Sequence, residues 1–203
     1  VLAALETCGG IFLRDGYVCG GTAAILATNY GESIRALFAD PPKAMMNRQS
    51  SRALAFLPPE LRKEEENTVG VFVLPCFDRS SAPLLLESGD MFAAVTDKPG
   101  VAEFLSFLTS WEACAPQARR GGSVFPHRTQ NFADYRSSVE REMAQILSEA
   151  EVVRFAPAEL MPSEVGTASF RQGMLDYVAG RLSAEDCLKA IDESWARIAK
   201  GQP

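Results

Sequence analysis

Three residues of this chain have the types needed for a minimal nucleophilic catalytic set. Cys76 offers a thiol, His127, the only histidine, offers a base, and Asp78 offers a carboxylate that could orient the base. A catalytic cysteine needs surroundings that lower its pKa, such as a helix N-terminus. Cys76 instead follows Pro75 and precedes Phe77. The local sequence therefore disfavours acyl transfer, and a cysteine-dependent hydrolase is a remote alternative to a protein that is not an enzyme.

The cysteines show no spacing typical of a metal site. There are five of them without a C-x-x-C pair, and an odd number leaves at least one without a disulfide partner. We expect most to be buried as small apolar side chains. A bridge between Cys8 and Cys19 is an alternative that an export compartment would allow. The sequence thus predicts no metal and no cofactor.

The amino-acid composition limits the classes of molecule that this chain is expected to bind. The net charge is -6, and adjacent basic residues occur only as the pairs Arg62-Lys63 and Arg119-Arg120. Nucleic acid is not expected as a partner, because a phosphate-binding surface needs clustered basic residues. No apolar stretch approaches the roughly 18 to 20 residues that span a bilayer. The chain starts at Val1 inside an apolar pattern, with no initiator Met and no signal sequence, so we expect it to be part of a longer protein.

Helical and strand patterns alternate along the chain, which predicts an α/β fold. Apolar residues at helical spacing predict helices at residues 22–38, 49–56, 110–120, 139–149 and 183–198, and a further helix opened by Asp97. Extended apolar patterns predict strands at residues 43–47, 68–74 and 83–96. Gly89 should bend the last of these strands. Pro116 should kink or shorten its helix. Trp195 is expected in the core beside Ile191 and Ile198.

The most specific pattern lies in the last fifth of the chain. A polar loop at residues 160–166 leads into one helix, Gly180 breaks it, and Ser183 with Asp186 opens a second helix as in a capping box. Shorter motifs precede it in a matching order, at residues 16–21, 27–31, 37–44, 47–51, 89–92 and 97–99. Together they resemble the C-terminal half of family 1 extracellular solute-binding proteins of ATP-driven (ABC) sugar importers, in the α-glucoside branch.

The resemblance implies a periplasmic-binding-protein-like fold of type II, in which two α/β lobes close on a ligand about a hinge. Residues 1–86 would form the first part of the second lobe. Residues 87–127 would cross the hinge and return to the first lobe, and residues 128–203 would supply the C-terminal helices of the second lobe. Most of the first lobe would then lie outside this chain.

The resemblance also implies a function, a partner and a location. The chain would take part in capturing a carbohydrate, an α-glucoside or a related oligosaccharide or polyol. The membrane subunits of an ABC transporter would be its partner. The location would be periplasmic or extracellular, with attachment to the membrane through the transporter.

Six residues are predicted to contact the sugar, because planar polar groups bind sugar hydroxyls in paired hydrogen bonds. They are Arg48, Gln49, Ser51, Asp90, Arg171 and Gln172. The first three follow the strand predicted at residues 43–47, and ligands commonly bind at strand ends. Asp90 lies beside Gly89 at the predicted hinge, where a carboxylate bound to backbone amides is an equal alternative.

Arg171 departs from the family pattern. Related proteins commonly present an aromatic ring at this position, one residue after Phe170, as a platform for the sugar. A guanidinium stacks through a charged plane instead. The ligand therefore differs from a simple glucoside, or its binding is weakened.

A final expectation concerns an apolar stripe formed by Val101, Phe104, Leu105 and Leu108. In the implied fold this stripe would cover a sheet of the absent first lobe, so the missing N-terminal lobe or a second copy of the chain should cover it. The alternative to sugar capture is a truncated binding-protein half that acts as a structural or interaction module.

Overall fold

Helices make up most of the regular structure in the computed structural model, which describes residues 1–63, 68–75, 84–89 and 92–201. The α-helices are α1 (Leu2–Phe12), α2 (Gly21–Ala27), α3 (Tyr30–Ser33), α4 (Pro59–Arg62), α5 (Val101–Leu108), α6 (Trp111–Arg120), α7 (Ser138–Glu149), α8 (Pro157–Leu160), α9 (Arg171–Val178) and α10 (Ala184–Ala199). Short 3₁₀-helices occupy Ile34–Phe38, Ser51–Phe56 and Phe132–Asp134, and a π-helical segment occupies Glu164–Phe170. Strands β1 (Leu84–Glu87) and β2 (Val152–Phe155) pair in a two-stranded parallel sheet. This content is compatible with the predicted α/β class.

The chain divides into two units. The first consists of Val1–Met46 together with Phe155–Pro203, and the second is Asn47–Arg154. The predicted assignment of residues 1–86, 87–127 and 128–203 to lobes concerns a larger protein, and it stays a prediction.

The core of the first unit forms where α1, the π-helical segment, α9 and α10 pack together. Its buried apolar residues are Leu5, Val165, Tyr177, Val178, Ala184, Cys187 and Ile191. On α10 the buried positions recur every three or four residues from Ala184 to Ser194, which is the spacing of one helical face. Burial of this face explains why α10 packs against the rest of the unit.

The predicted break between the last two helices is confirmed. Gly180 follows α9 with φ +70°, in the left-handed region that glycine adopts without strain. The Oγ atom of Ser183 then accepts a hydrogen bond from the Asp186 backbone N–H at 3.0 Å. Since an N-cap side chain satisfies an otherwise unpaired N–H group, Ser183 sets the start of α10.

In the second unit, the core lies around α6, α7 and the segment that joins them. Ala118, Tyr135 and Ala144 are buried there, and Trp111 and Phe125 pack against them. Serine caps begin both helices: Ser110 Oγ accepts from Ala113 N at 3.3 Å, and Ser137 Oγ accepts from Glu140 N at 3.2 Å. The predictions of helices at 110–120 and 139–149 are thus confirmed to within one residue.

Helix α6 contains Pro116 and nevertheless continues to Arg120. The expected shortening does not occur. A proline removes one backbone hydrogen bond, and burial of Ala115 and Ala118 on the same helix compensates for that loss.

Helix α5 is unlike its neighbour because none of its residues is buried. Phe104 is 60% exposed and Phe107 is 47% exposed. Val101, Leu105 and Leu108 are half-buried. The apolar stripe predicted on this helix is therefore still accessible within the described part of the chain.

Two predicted strands are wrong. Residues 43–47 and 68–74 form no strand in the structure. An extended apolar run becomes a strand only when a neighbouring strand accepts and donates its backbone hydrogen bonds, and short-range patterns do not specify that neighbour. Among the described residues of the strand predicted at 83–96, only those of β1 are in a strand, and Gly89 follows its end.

The helix boundaries were predicted less accurately than the helix positions. The helix predicted at residues 22–38 is interrupted at Thr28, whose backbone is extended with ψ 123°. The helix expected to open at Asp97 begins at Val101 instead, because Gly100 precedes it with φ +89°. The helix predicted at residues 49–56 is found as the 3₁₀-helix Ser51–Phe56.

The core position predicted for Trp195 is also wrong. Ile191 is buried, whereas Trp195 is 48% exposed. The buried face of α10 continues from Ile191 to Ser194, so Trp195 lies beyond its edge at 100° per residue. No described helix has the length and apolar content needed to cross a membrane.

Candidate functional site

An open groove with a mixed polar and apolar lining lies on the surface of the first unit, with a volume of about 660 Å³. Three consecutive elements form it: the π-helical segment, α9 and α10. Its lining residues are Glu164, Thr167, Ala168, Ser169, Arg171, Gln172, Leu175, Ser194 and Arg197. Two of the six residues predicted to bind sugar, Arg171 and Gln172, are thus brought together with polar side chains from a second helix.

The π-helical segment places part of this lining. π-helical turns are rare and are frequent at functional sites. Ser169 Oγ donates to the backbone oxygens of Glu164 and Val165, each at 3.3 Å, and so ties its side chain to the backbone of the same segment. Gly166 lets α8 approach closely, since a Cβ atom there would lie 2.2 Å from the Ala158 carbonyl oxygen. The groove wall is therefore held by backbone packing.

The two arginines of the groove are available to a ligand. Arg171 and Arg197 are exposed. Neither makes an ion pair or side-chain hydrogen bond to another residue that the structure describes. Each guanidinium has five N–H donors in a planar arrangement that suits carboxylate, phosphate or paired hydroxyl acceptors.

Gln172 is oriented by a short network on α9. Its Nε2 atom donates to Asp176 Oδ1 at 3.0 Å, and Arg181 Nε donates to the same oxygen at 2.7 Å. The hydrogen bond from Arg181 is the main reason that the pKa of Asp176 is lowered from its ordinary value. The carboxylate therefore stays ionised at neutral pH and holds the amide of Gln172 with its oxygen available as an acceptor.

Ser194 gives the groove an unusual polar group. Its residue surface is only 5% exposed, and yet it lines the groove. Its hydroxyl makes no hydrogen bond to any other described residue. The hydroxyl can therefore donate or accept a hydrogen bond with a ligand in the groove.

The other predicted site residues that the structure describes do not line this groove. Arg48, Gln49 and Ser51 belong to the second unit, near the start of the helix Ser51–Phe56. Arg48 and Gln49 are exposed, and Gln49 Oε1 accepts from Ser50 N at 3.3 Å. No strand precedes them. They therefore do not lie at the end of a strand, which was the reason for predicting that they bind a ligand. Asp90 lies outside the described residues.

Of the three residues considered for nucleophilic catalysis, the structure describes His127. Cys76 and Asp78 lie outside the described residues. His127 is half-buried, with its ring centroid 6.0 Å from that of Trp111, and its Nδ1 atom is 3.3 Å from Thr129 N. Cys8 and Cys19 are free thiols rather than a bridge. Among the described residues, no group of histidine, cysteine and acidic side chains could hold a metal ion.

Several groove residues were not predicted from the sequence. Arg197 and Ser194 come from α10, whose packing against α9 brings them to the same groove as Arg171. One signal was present: Ser194 is the polar member of the otherwise apolar face that includes Ala184, Cys187 and Ile191. A serine at such a position indicates a polar neighbour or a ligand.

Two curated proteins match almost the whole chain. It is 34% identical over 194 residues to the osmoprotective compounds-binding protein GgtB of Synechocystis sp., which covers 96% of this chain and 45% of that protein. It is 28% identical over 204 aligned positions to the alpha-glucosides-binding periplasmic protein AglE of Rhizobium meliloti, covering 98% of this chain and 43% of the relative. No family model and no solved structure matches the chain.

These relatives confirm the predicted resemblance to extracellular solute-binding proteins. The matched region is the C-terminal part of each relative. The chain spans less than half the length of the curated proteins it matches. Both relatives are named as binding proteins rather than enzymes, which agrees with the prediction of a protein that is not an enzyme.

Proposed function

We propose that this chain is part of a solute-binding protein and captures a carbohydrate, an α-glucoside or a related oligosaccharide or polyol, for an ATP-driven importer. The observation that carries the proposal is the open groove that Arg171 and Gln172 line together with Ser194 and Arg197. The similarity to two binding proteins of small solutes supports it. Capture requires groups that bind a solute, and the groove offers guanidinium, amide and hydroxyl groups.

The composition of the groove suits a sugar. Thr167, Ser169 and Ser194 offer hydroxyls, and Gln172 offers an amide, which can bind the hydroxyls of a sugar ring. Leu175 adds apolar surface for the C–H face of the ring. The groove is open, so a ligand would keep much of its surface in water. A further wall, from residues beyond this chain, would be needed for tight binding.

The larger protein would supply that wall. We propose that it has the type II two-lobe architecture, closing on the ligand about a hinge. Arg48, Gln49, Ser51 and Asp90 stay candidates for ligand contacts in that closed form. The membrane subunits of an ABC transporter would receive the solute, and the location would be periplasmic or extracellular.

Titration calorimetry of the protein from its complete coding region, with sucrose, trehalose and methyl α-glucoside as probes, tests the proposal. Binding of at least one probe is expected. Gln172→Ala should weaken it by about 3- to 10-fold, the value of one hydrogen bond. Gln145→Ala, an exposed glutamine on α7, is the matched control and should change nothing. No binding of any probe, or equal loss in both variants, would contradict the proposal.

A second candidate, an interaction module, is supported by helix α5. The stripe of Val101, Phe104, Leu105 and Leu108 has no buried member, and exposed apolar surface of this kind favours association. We propose that the missing N-terminal lobe covers it, or that a second copy does where that lobe is lacking.

Light scattering of the 203-residue chain tests whether a second copy of the chain covers the stripe. A dimer is expected, and Leu105→Asp should convert it to a monomer. Leu13→Asp, at an exposed leucine of the first unit, should leave the dimer intact. A monomeric wild-type chain would contradict the proposal that a second copy covers the stripe.

A further inference from the structure

We infer that the solute of the groove carries a single negative charge, a carboxylate on a sugar or sugar-derived polyol, which Arg171 and Arg197 bind. The inference rests on the proposed function and specifies the ligand class of the same groove. A neutral glucoside could use the guanidinium N–H groups only through its hydroxyls. A carboxylate would use both.

The charge of the groove differs from that of the chain. Its lining contains two arginines and one glutamate, an excess of one positive charge, whereas the chain as a whole carries -6. Elsewhere in the same unit an exposed arginine is neutralised, since Arg181 pairs with Asp176. Arg171 and Arg197 have no such partner among the described residues. Two unpaired guanidinium groups in one groove therefore favour an anionic ligand.

The size of the excess indicates the kind of anion. A planar carboxylate matches the parallel N–H donors of a guanidinium and carries one charge. A phosphate group carries nearly two charges at neutral pH. Glu164 lines the same groove and would repel the second charge. A monoanionic carboxylate is thus the better match.

The remaining lining recognises the neutral part of the ligand. Ser194 is 5% exposed and offers a hydroxyl that has no partner among the described residues. Ala168 and Leu175 offer apolar surface beside it. The groove therefore combines sites for a ring, a hydroxyl and a charge, so the ligand is an acidic sugar rather than a bare carboxylate ion.

A matched pair of ligands tests the inference directly. Methyl α-glucoside and methyl α-glucuronide differ only at C6, where the first has a hydroxymethyl group and the second a carboxylate. With the protein from its complete coding region, calorimetry should give about 10-fold tighter binding of the glucuronide at low salt. This preference should shrink as the salt concentration rises from about 50 mM to about 500 mM, because salt screens exposed charges.

Variants assign the preference to residues. R171Q and R197Q should each weaken glucuronide binding by about 5-fold or more and glucoside binding by a clearly smaller factor, because only the glucuronide loses a charge-assisted hydrogen bond. S194A should weaken both ligands equally, because it binds their shared part. R35Q removes an exposed arginine of the same unit and should change neither affinity. It controls for the overall charge of the protein.

The outcomes separate this inference from the proposed function. Equal affinity for both glycosides, or tighter binding of the neutral one, would overturn the charge inference and leave carbohydrate capture standing. A preference that survives both R171Q and R197Q would overturn the assignment to this groove. If neither glycoside binds, and the neutral disaccharides also fail, the inference and the proposed function fall together.

Discussion

Gly9 of α1 lies directly against the hydroxyl of Tyr177 on α9. A Cβ atom at Gly9 would be 1.9 Å from the Tyr177 hydroxyl oxygen and 3.0 Å from Cζ. Both residues are buried, and Tyr177 belongs to the core of the first unit. The absence of a side chain at position 9 is therefore what allows α1 to pack on α9.

This contact predicts that Gly9→Ala destabilises the protein by about 1–3 kcal/mol, the usual cost of overpacking. Gly10 is the matched control, because a Cβ there meets nothing within 4 Å. Gly10→Ala should stabilise the helix by about 0.5–1 kcal/mol, since alanine loses less backbone entropy than glycine on folding. Urea denaturation of both variants measures the two changes. Effects of equal sign and size would show that the Tyr177 contact does not limit position 9.

Ser183 is predicted to stabilise α10 through its N-cap hydrogen bond. Ser183→Ala removes the acceptor for the Asp186 backbone N–H and should cost about 1 kcal/mol. Ser183→Asn keeps an acceptor and should restore most of that loss. Thermal or urea unfolding tests the pair. If alanine and asparagine destabilise alike, the cap contributes nothing.

The pair of Trp111 and Asp134 should report acid unfolding in the second unit. Trp111 Nε1 donates to Asp134 Oδ2 at 2.9 Å, and Arg119 donates to Oδ1 at 3.0 and 2.8 Å. The Trp111 hydrogen bond first, and then Arg119, lower the pKa of Asp134 below its ordinary value. Because the folded pKa is the lower one, this contribution to stability is complete above about pH 4 and is lost as the pH falls through the folded pKa.

The measurement is Trp111 fluorescence in a Trp195→Phe background, which removes the other tryptophan. We expect emission and stability to change together as the pH falls below about 4. Asp134→Asn keeps an acceptor for Trp111 and removes the titrating group, so the local emission change should disappear. A transition that persists unchanged in this variant would mean that another group causes it.

The described thiols should differ strongly in reactivity. Cys19 is exposed, whereas Cys187 is fully buried. Burial, and then the negative charge of Asp176, raises the pKa of the Cys187 thiol, so little reactive thiolate forms near neutral pH. Iodoacetamide should modify Cys19 first and Cys187 only in denaturant, as followed by peptide mass mapping. Comparable native rates at the two sites would refute the buried position of Cys187.

Local patterns predicted the helices better than the strands. Serine caps mark the beginnings of α6, α7 and α10, and each cap acts within three residues of chain. The stretches at 43–47 and 68–74 have extended patterns and form no strands, because a strand depends on a partner distant in sequence. The core position predicted for Trp195 was wrong for a related reason, since helical spacing alone does not indicate where the buried face of a helix ends.

The candidate site was predicted in part. Arg171 and Gln172 were chosen through the family resemblance, and they line the groove together. Arg48, Gln49 and Ser51 lie in the other unit, and their contact with a ligand stays a prediction. Ser194 and Arg197 were missed because they are distant in sequence from Arg171.

The sequence by itself determined the helix starts at Ser110, Ser137 and Ser183 and the resemblance to solute-binding proteins, because both depend on residues close together in the chain or on their order along it. Only the tertiary structure decided which side chains share the groove. That decision depends on how α9 and α10 pack, with Gly173 allowing the approach of Cys187, whose Sγ atom would lie 3.2 Å from a Cβ at position 173. Packing of this kind joins residues far apart in sequence, so no local pattern contains it.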